Sequence, residues 1–182
     1  MKRKKAKEIL AESFRELAES KSIAKITVRD ITENCGYSTA TFYRHFKDKY
    51  DLIAWDYTCE LEQILKQVGR NRESWKQALI DAAVYYDSNR EYLANLLLHT
   101  TGYDSFVRNM TEINFNSLKN RILFSSELEE LEEKTEMYVR LYCLGNVCLT
   151  CEWILGRYSV SRETLVEVYA GSLPEPLHPY LL

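Results

Sequence analysis

Two short helical segments joined by a glycine turn are the feature that most limits how this chain can fold. Thr27 can cap segment 28–35, because a threonine hydroxyl accepts hydrogen bonds from N–H groups that the first turn of a helix leaves free. Gly36 then permits the left-handed backbone on which many helices end. Ser38 can cap a second segment that runs to about Phe46. This spacing is typical of a helix-turn-helix unit, although many other helical corners share it.

Helical periodicity continues on both sides of these segments. Apolar residues of 3–20 share one helical face, and Asp48 can cap a helix from Lys49 to about Val68. Further helices are expected near 72–88, 90–99, 103–124, 127–157 and 161–172. The chain is therefore predicted to be all-α.

Local signals also bound the later helices. Asn89 and Ser126 are interpreted as N-terminal caps, and Gly156 as the end of the long helix. Residues 173–182 contain all 3 prolines of the chain. Because proline lacks a backbone donor, this tail is predicted to be irregular.

The charge of the chain is unevenly distributed. Residues 1–50 hold 12 Lys and Arg against 7 Asp and Glu, a net charge of +5, whereas residues 51–182 have a net charge of −8. We therefore divide the chain into an N-terminal module, residues 1–50, and an acidic body, residues 51–182. A polyanion would be attracted to the basic module.

Composition narrows the class of protein. A hydrophobic fraction of 46% and a charged fraction of 28% are typical of a globular, soluble chain. No apolar run reaches the ~18 residues of a membrane helix, and the start, MKRKKAKEILAES, lacks the apolar centre of a signal peptide. We expect a cytoplasmic protein without membrane association. Neither a catalytic triad nor a carboxylate pair is evident, so we expect no enzymatic activity and no cofactor.

The helix-turn-helix interpretation predicts a set of DNA contacts. The second helix of such a unit enters the major groove with its N-terminal residues toward the base edges, and here these residues are small and mostly hydroxyl-bearing. Aromatic and basic donors further along would meet phosphates. The predicted contacts are Thr27, Ser38, Thr39, Thr41, Tyr43, His45 and Lys49. Ile31 and Phe42 would pack the two helices together; the alternative is an ordinary helical hairpin with solvated charges.

The stretch ITVRDITENCGYSTATFYRHFKDKYDLI closely resembles the DNA-binding region of TetR family bacterial regulators. The resemblance covers about residues 5–55, and the predicted contacts match the DNA-contacting positions of the family. Two positions depart from it, because many members have a long basic side chain at Thr39 and an aliphatic one at Tyr37. The resemblance implies a three-helix DNA-binding domain followed by a helical-bundle domain for dimerisation and ligand binding. Trp55 and the aromatic body are similar to the branch of dihydroxyacetone-operon regulators.

The segment LYCLGNVCLTCEWIL, residues 141–155, is apolar on every face of a helix, with Glu152 its only charge. A helix of this kind is buried on all sides, so we expect the body core on one side and a second subunit on the other. Gly145 would allow close approach. The predicted interface, completed by the last helix, consists of Leu144, Cys148, Cys151, Leu165 and Val168. The alternative is a buried helix in a monomer.

Aromatic residues of the body are candidates for a ligand pocket, since such pockets are apolar with a few polar groups. The candidates are Tyr86, Tyr92, His99, Tyr103, Phe115, Tyr138 and Tyr142, with Asn95, Asn114 or Arg140 supplying polarity. Most of these side chains would equally suit an ordinary core. No charged cluster favours a phosphate or nucleotide ligand.

Three cysteines, Cys143, Cys148 and Cys151, lie close together in the same predicted helix. Small core residues are the favoured interpretation, and no metal site is expected, because tetrahedral zinc needs four ligands. Taken together, the sequence predicts a homodimeric repressor that an unknown small ligand releases from a palindromic DNA operator. The alternatives are a co-activator controlled by a partner protein and a thiol or metal sensor.

Overall fold

A computed structural model describes residues 5–100 and 105–182. Within these residues the chain forms helices and no β-strand, which confirms the all-α prediction. The α-helices are α1 (Ala6–Ser20), α2 (Val28–Asn34), α3 (Thr39–Tyr43), α4 (Lys49–Leu65), α5 (Arg72–Ser88), α6 (Arg90–His99), α7 (Phe106–Ser126), α8 (Glu133–Ile154), α9 (Arg162–Gly171) and α10 (His178–Leu181). Short 3-10 helices span Ile23–Lys25 and Glu175–Leu177.

Side-chain caps set the starts of the helices in the module, as predicted. The Thr27 hydroxyl accepts from the N–H of Asp30 at 3.1 Å, and the Asp30 carboxylate accepts from the N–H of Thr27 at 2.7 Å. Ser38 caps α3 through the N–H of Thr41, and Asp48 caps α4. Each of these bonds satisfies a donor that the helix leaves free.

The prediction for residues 127–157 was wrong at its start. Ser126 ends α7 and caps nothing, Glu127 adopts a left-handed backbone with φ of 54°, and α8 begins only at Glu133. A helix through 127–132 would place several glutamates three and four residues apart, where like charges repel. The end of α8 agrees better, because Gly156 has φ of +72° directly after it.

Two further local predictions need correction. Asn89 lies between α5 and α6, but its side chain donates to the carbonyl of Tyr85 and so closes α5 instead of capping α6. The proline-containing tail is helical, not irregular, and Leu177 and Leu181 are completely buried. Apolar burial against α7 and α8 orders this tail, and local proline content does not reveal such contacts.

The helices pack as a small N-terminal group and a larger bundle. In the first, Phe14, Ile31 and Phe42 are fully buried between α1, α2 and α3. In the second, α7 lies against both α4 and α8, and α5 lies against α9. Helix α4 begins beside the first group and extends into the bundle, so it connects the two. No helix of the described ranges is long and apolar enough to cross a membrane.

Candidate nucleic-acid interface and its connection to the body

The start of α3 presents a small, hydroxyl-bearing edge to solvent. Ser38, Thr39 and Ala40 are exposed and Thr41 is half-buried. The hydroxyls of Ser38 and Thr41 lie 3.0 Å apart and hold each other in place. Because no long side chain stands in front of the backbone here, the helix can approach base edges closely, as direct readout in the major groove requires.

The aromatic and basic candidates near α3 differ in accessibility. Tyr43 is 60% exposed, and its ring packs edge-on against buried Phe42 with centroids 5.5 Å apart. That contact fixes the ring while leaving the phenol in solvent, where it can donate to a phosphate. His45 is half-buried, and Arg44 and Lys47 are exposed beside it.

Lys49 has a structural role in this chain. Its Nζ donates to the carbonyls of Ile23 at 2.8 Å, Ala24 at 3.2 Å and Ile26 at 2.8 Å. Desolvation by its surroundings lowers the pKa of this ammonium group. Lys49 therefore fastens the turn between α1 and α2 to the start of α4. Because an ammonium group has three donors, a phosphate contact would have to replace one of these bonds, and that contact stays a prediction.

Thr27 also has its hydroxyl engaged within the chain. The hydroxyl donates to Asp30 Oδ2 at 2.8 Å, and the same oxygen accepts from Lys21 Nζ at 2.9 Å. The hydrogen bond from Lys21, followed by those from Thr27, holds the pKa of Asp30 well below its usual range. What remains for a phosphate at this position is the N-terminal end of α2.

An ion pair joins α1 to α4. The Arg15 guanidinium donates to both carboxylate oxygens of Asp56, at 2.7 and 2.8 Å, and to Glu60 at 3.1 Å. Asp56 is only 6% exposed. Burial raises the pKa of Asp56, and the hydrogen bond and charge of Arg15 offset part of that rise. The bidentate geometry fixes the orientation of α1 on α4.

A single amide joins the module to α6. Asn95 Nδ2 donates to the carbonyls of Ala18 at 3.0 Å and Lys21 at 3.1 Å, and Asn95 Oδ1 accepts from the N–H of Ile23 at 3.2 Å. The sequence analysis considered Asn95 as a polar group for a ligand, but here its amide binds the backbone at the end of α1. No local signal could have shown this, because Ala18 lies 77 residues earlier.

The body contains a cavity of about 70 Å³ between α4, α5, α7, α8 and α9. Leucines of α4 and alanines of α5 supply much of its wall, and among the described residues its lining includes no Asp, Glu, Lys, Arg or His. The polar lining residues are Tyr86, Asn114, Tyr142, Asn146, Thr150 and Tyr169. Two of the predicted ligand residues, Tyr86 and Tyr142, are thus brought together here with the predicted polar partner Asn114.

Hydrogen bonds connect the cavity wall to α4. The hydroxyls of Tyr57 and Tyr86 lie 3.0 Å apart, and Asn114 Nδ2 donates to the Tyr57 hydroxyl at 2.6 Å. Desolvation raises the pKa of Tyr86 to about 12, so this network is uncharged at neutral pH. Tyr57 belongs to α4, the helix that begins in the module.

The other ligand candidates lie elsewhere. Tyr92 packs edge-on against Phe14 of the module, with ring centroids 6.3 Å apart. His99 is exposed at the end of α6, and Tyr138 is half-buried outside the cavity lining. Phe115 is buried beneath the guanidinium of Arg140, 3.9 Å from the ring centroid. Tyr103 lies outside the described residues.

The predicted dimer residues fall into two groups. Leu144 and Val168 are each 47% exposed, and Cys148 is also exposed. Together with Met137 and Leu141 they form a solvent-facing apolar stripe on α8 and α9, which we call the α8–α9 stripe. Cys151 and Leu165 are buried within the chain itself, at 5% and 4% exposure, and so lie in the core of one subunit.

The cysteines point in different directions. Cys143 and Cys151 are buried, and desolvation raises the pKa of each thiol to about 12. Cys148, three residues from Cys151, is exposed. Over residues 5–100 and 105–182, no group of three His, Cys, Asp or Glu side chains is placed to hold a metal ion. The arrangement offers neither a reactive thiolate pair nor the third ligand that a metal sensor would need.

Comparison with known proteins yields one family match and several distant whole-chain similarities. Residues 9–54 match the family of "Bacterial regulatory proteins, tetR family". Over 158 residues the chain is 19% identical to the HTH-type dhaKLM operon transcriptional activator DhaS of Lactococcus lactis subsp. lactis (strain IL1403), covering 87% of this chain and 78% of that protein.

Solved structures share the fold along nearly the whole chain. A dihydroxyacetone kinase operon activator DhaS is 18% identical with a TM-score of 0.62, covering 92% of this chain and 95% of that one. A TetR transcriptional regulator from Rhodococcus sp. RHA1 is 17% identical with a TM-score of 0.67, covering 95% and 97%. Both the N-terminal group and the helical bundle therefore have counterparts of the same fold.

Proposed function

The chain belongs to the TetR family of bacterial regulatory proteins and is a DNA-binding transcriptional regulator, and on this premise we propose that it acts as a homodimeric repressor, which a small ligand releases from a palindromic operator. The observation that carries the proposal is the connection between the cavity and the module. Leu61, Ile64 and Leu65 of α4 line the cavity, and the same helix begins at Lys49 beside the DNA-binding surface.

Dimerisation is supported by the α8–α9 stripe. An apolar stripe on one helix with a second apolar surface beside it resembles the seam of a four-helix bundle, in which two helices from each subunit pack together. A two-fold dimer would place two copies of α3 about 34 Å apart, one turn of DNA, which suits a palindrome.

Release would follow from geometry. A ligand that fits only one position of α4 would change the distance between the two recognition helices, and half-sites one turn apart tolerate little change. A tenfold loss of DNA affinity needs about 1.4 kcal/mol of coupling between the two sites. Asn95 and the Arg15–Asp56 pair would transmit the movement, since both hold α1 against the body.

The proposal is tested by selecting duplexes from a random library with the full-length chain. We expect a palindromic motif whose half-site centres are about 10 base pairs apart. Thr41→Val should change the preferred bases, whereas Tyr43→Phe should weaken binding to all sequences about equally. Enrichment of single half-sites without symmetry would contradict the dimeric reading of DNA.

A second function has specific support. Both DhaS proteins are named activators, the cavity is small, and Phe124 at the end of α7 is 76% exposed. These observations favour a co-activator that a partner protein controls through an exposed apolar surface. Transcription from a promoter carrying the selected motif separates the two: deletion of the gene raises it for a repressor and lowers it for an activator.

A further inference from the structure

Trp75 carries a buried donor without an acceptor. The residue lies on α5, is 4% exposed and lines the body cavity. Its indole Nε1 has no hydrogen-bond partner among the described residues, and besides it only Ser126 Oγ shares that condition there. Buried indole N–H groups nearly always find a partner, so this one calls for an explanation.

The polar groups around Trp75 are already engaged. Tyr86 pairs with Tyr57, and Asn114 donates to Tyr57. Tyr142, whose ring centroid lies 6.1 Å from that of Trp75, donates to the carbonyl of Tyr169, and the Tyr169 hydroxyl lies 2.6 Å from that of Thr150. Trp75 thus differs from these hydroxyl and amide groups, because its donor has no acceptor among the described residues.

The cavity wall is electrically neutral. The part of the chain that the structure describes contributes no Lys, Arg or His to its lining to balance an anion, and no Asp or Glu to balance a cation. Burial keeps the tyrosine hydroxyls uncharged by raising the pKa of Tyr86 to about 12. An ion would lose its hydration here without a partner, which strongly disfavours binding.

The cavity also limits the size of an occupant. At about 70 Å³, it is less than half the size of an engineered apolar cavity of roughly 150 Å³ that binds benzene. The space therefore suits a molecule smaller than benzene and excludes large aromatic ligands.

We infer that the cavity binds a small uncharged molecule bearing a hydrogen-bond acceptor, such as a short ketone, and that Trp75 Nε1 donates to this acceptor. The inference rests on the proposed control by a small molecule and specifies its chemical class. Leu61 and Leu65 of α4, which also line the cavity, would contact the apolar part of the molecule.

The experiment compares three probes of the same branched shape: 2-butanone, 2-methyl-1-butene and propanoate. The first is a neutral acceptor, the second an apolar isostere and the third an anion.

The readout is the indole N–H resonances of the full-length protein labelled with ¹⁵N-tryptophan. The chain has 3 tryptophans, and Trp75→Phe identifies the resonance of interest by its loss. Trp153 is the internal control, because its Nε1 already donates to the carbonyl of Val160.

We expect 2-butanone to shift the Trp75 resonance downfield in a saturable manner and to leave the Trp153 resonance in place. Propanoate should leave both unchanged, and 2-methyl-1-butene should bind at least tenfold more weakly than the ketone. In Trp75→Phe the advantage of the ketone over the alkene should disappear. The inference would be overturned by equal binding of ketone and alkene, by binding of propanoate, or by an unchanged Trp75 resonance at saturating ketone. The last result would mean that a retained water holds the donor.

Operator binding is measured separately on the same samples. If the ketone occupies the cavity as described but operator affinity does not change, the inference holds and the proposed release mechanism fails. If a metabolite releases operator equally well from wild type and Trp75→Phe, the release mechanism holds and the assignment of Trp75 fails.

Discussion

The N-terminal module and the body use their polar groups differently. In the module, Thr27, Ser38 and Asp48 close helix ends, and Lys49 binds three carbonyls of a neighbouring turn. In the body, the buried donor of Trp75 is unused and an apolar stripe faces solvent. Within the described residues, the buried polar atoms without partners and most of the large exposed apolar side chains thus lie in the body, where the proposed ligand and second subunit would cover some of them.

On the proposed function, control would act through the contacts between the two regions. Arg15 binds Asp56 across α1 and α4, and Asn95 binds the backbone at the end of α1 from α6. Together with α4, which begins in the module and continues into the body, these contacts would carry a movement from one region to the other. Five predictions test the comparison, beginning with the largest expected effect.

Leu144→Glu should break the proposed dimer. The side chain is 47% exposed in one chain, and burying a glutamate in an apolar seam would cost about 4 kcal/mol, roughly a thousandfold in dimer affinity. Sedimentation at micromolar concentration should show monomers. The matched control is Val107→Glu on α7, which is 39% exposed away from the stripe and should remain dimeric. A dimeric Leu144→Glu protein would rule out this seam.

Arg15→Met should destabilise the fold by about 2–3 kcal/mol, somewhat less than the loss of one partner of a fully buried pair, because Arg15 is 33% exposed. The variant leaves the carboxylate of Asp56 buried without its partner. Chemical unfolding measures the loss. Arg29→Met is the control: its pair with Glu33 is exposed, and surface pairs contribute about 0–1 kcal/mol.

The pH dependence of Arg15→Met follows from the pKa of Asp56. Burial already raises this pKa in the wild type, and removing Arg15 takes away the two influences that lower it. Between the unfolded and the folded pKa the native state binds more protons, so stability falls as pH rises. The deficit of Arg15→Met should therefore be full at neutral pH and shrink on acidification. Arg15→Met/Asp56→Asn should lack this pH dependence.

The sequence could predict the parts of the fold that neighbouring residues determine. The caps of α2, α3 and α4 involve residues two or three positions apart, and the predicted helices 72–88 and 90–99 agree with α5 and α6. The start of α8 could not be predicted, because helical composition in 127–132 competes with repulsion between glutamates. The division of the chain after residue 50 stays a prediction.

Contacts between distant segments were beyond local patterns. The burial of Leu177 and Leu181 depends on α7 and α8, and the bonds of Asn95 depend on α1. For the candidate site, hydroxyl-rich residues at the start of a helix could be recognised, whereas the group of aromatics that lines the cavity could not. Tyr86 and Tyr142 meet there, but Tyr92 packs against the module instead.

Asn95→Ala should loosen the module from the body at a cost of about 1–2 kcal/mol, since it leaves two carbonyls and one N–H without their partner. Hydrogen exchange should become faster at the amide of Ile23. Operator affinity should also respond less to a ligand in the cavity. Asn116→Ala, on the exposed side of α7, is the control and should change neither quantity. Unchanged exchange at Ile23 would contradict the proposed connection.

Lys49→Ala should have the smallest effect on DNA binding and the most specific one. Each phosphate contact contributes about 0.9 to the steepness with which log affinity falls against log salt concentration. When salt is raised from 0.1 to 0.2 M, the variant should therefore lose about twofold less affinity than the wild type does. The variant should also lose some stability, because Nζ no longer binds the carbonyls of Ile23, Ala24 and Ile26. Lys66→Ala, at the opposite end of α4, removes the same charge and should leave the slope unchanged. A loss of stability with an unaltered salt slope would mean that Lys49 only stabilises the module and contacts no phosphate. The groups in that region to test next for phosphate contacts would then be Tyr43, Arg44 and Lys47.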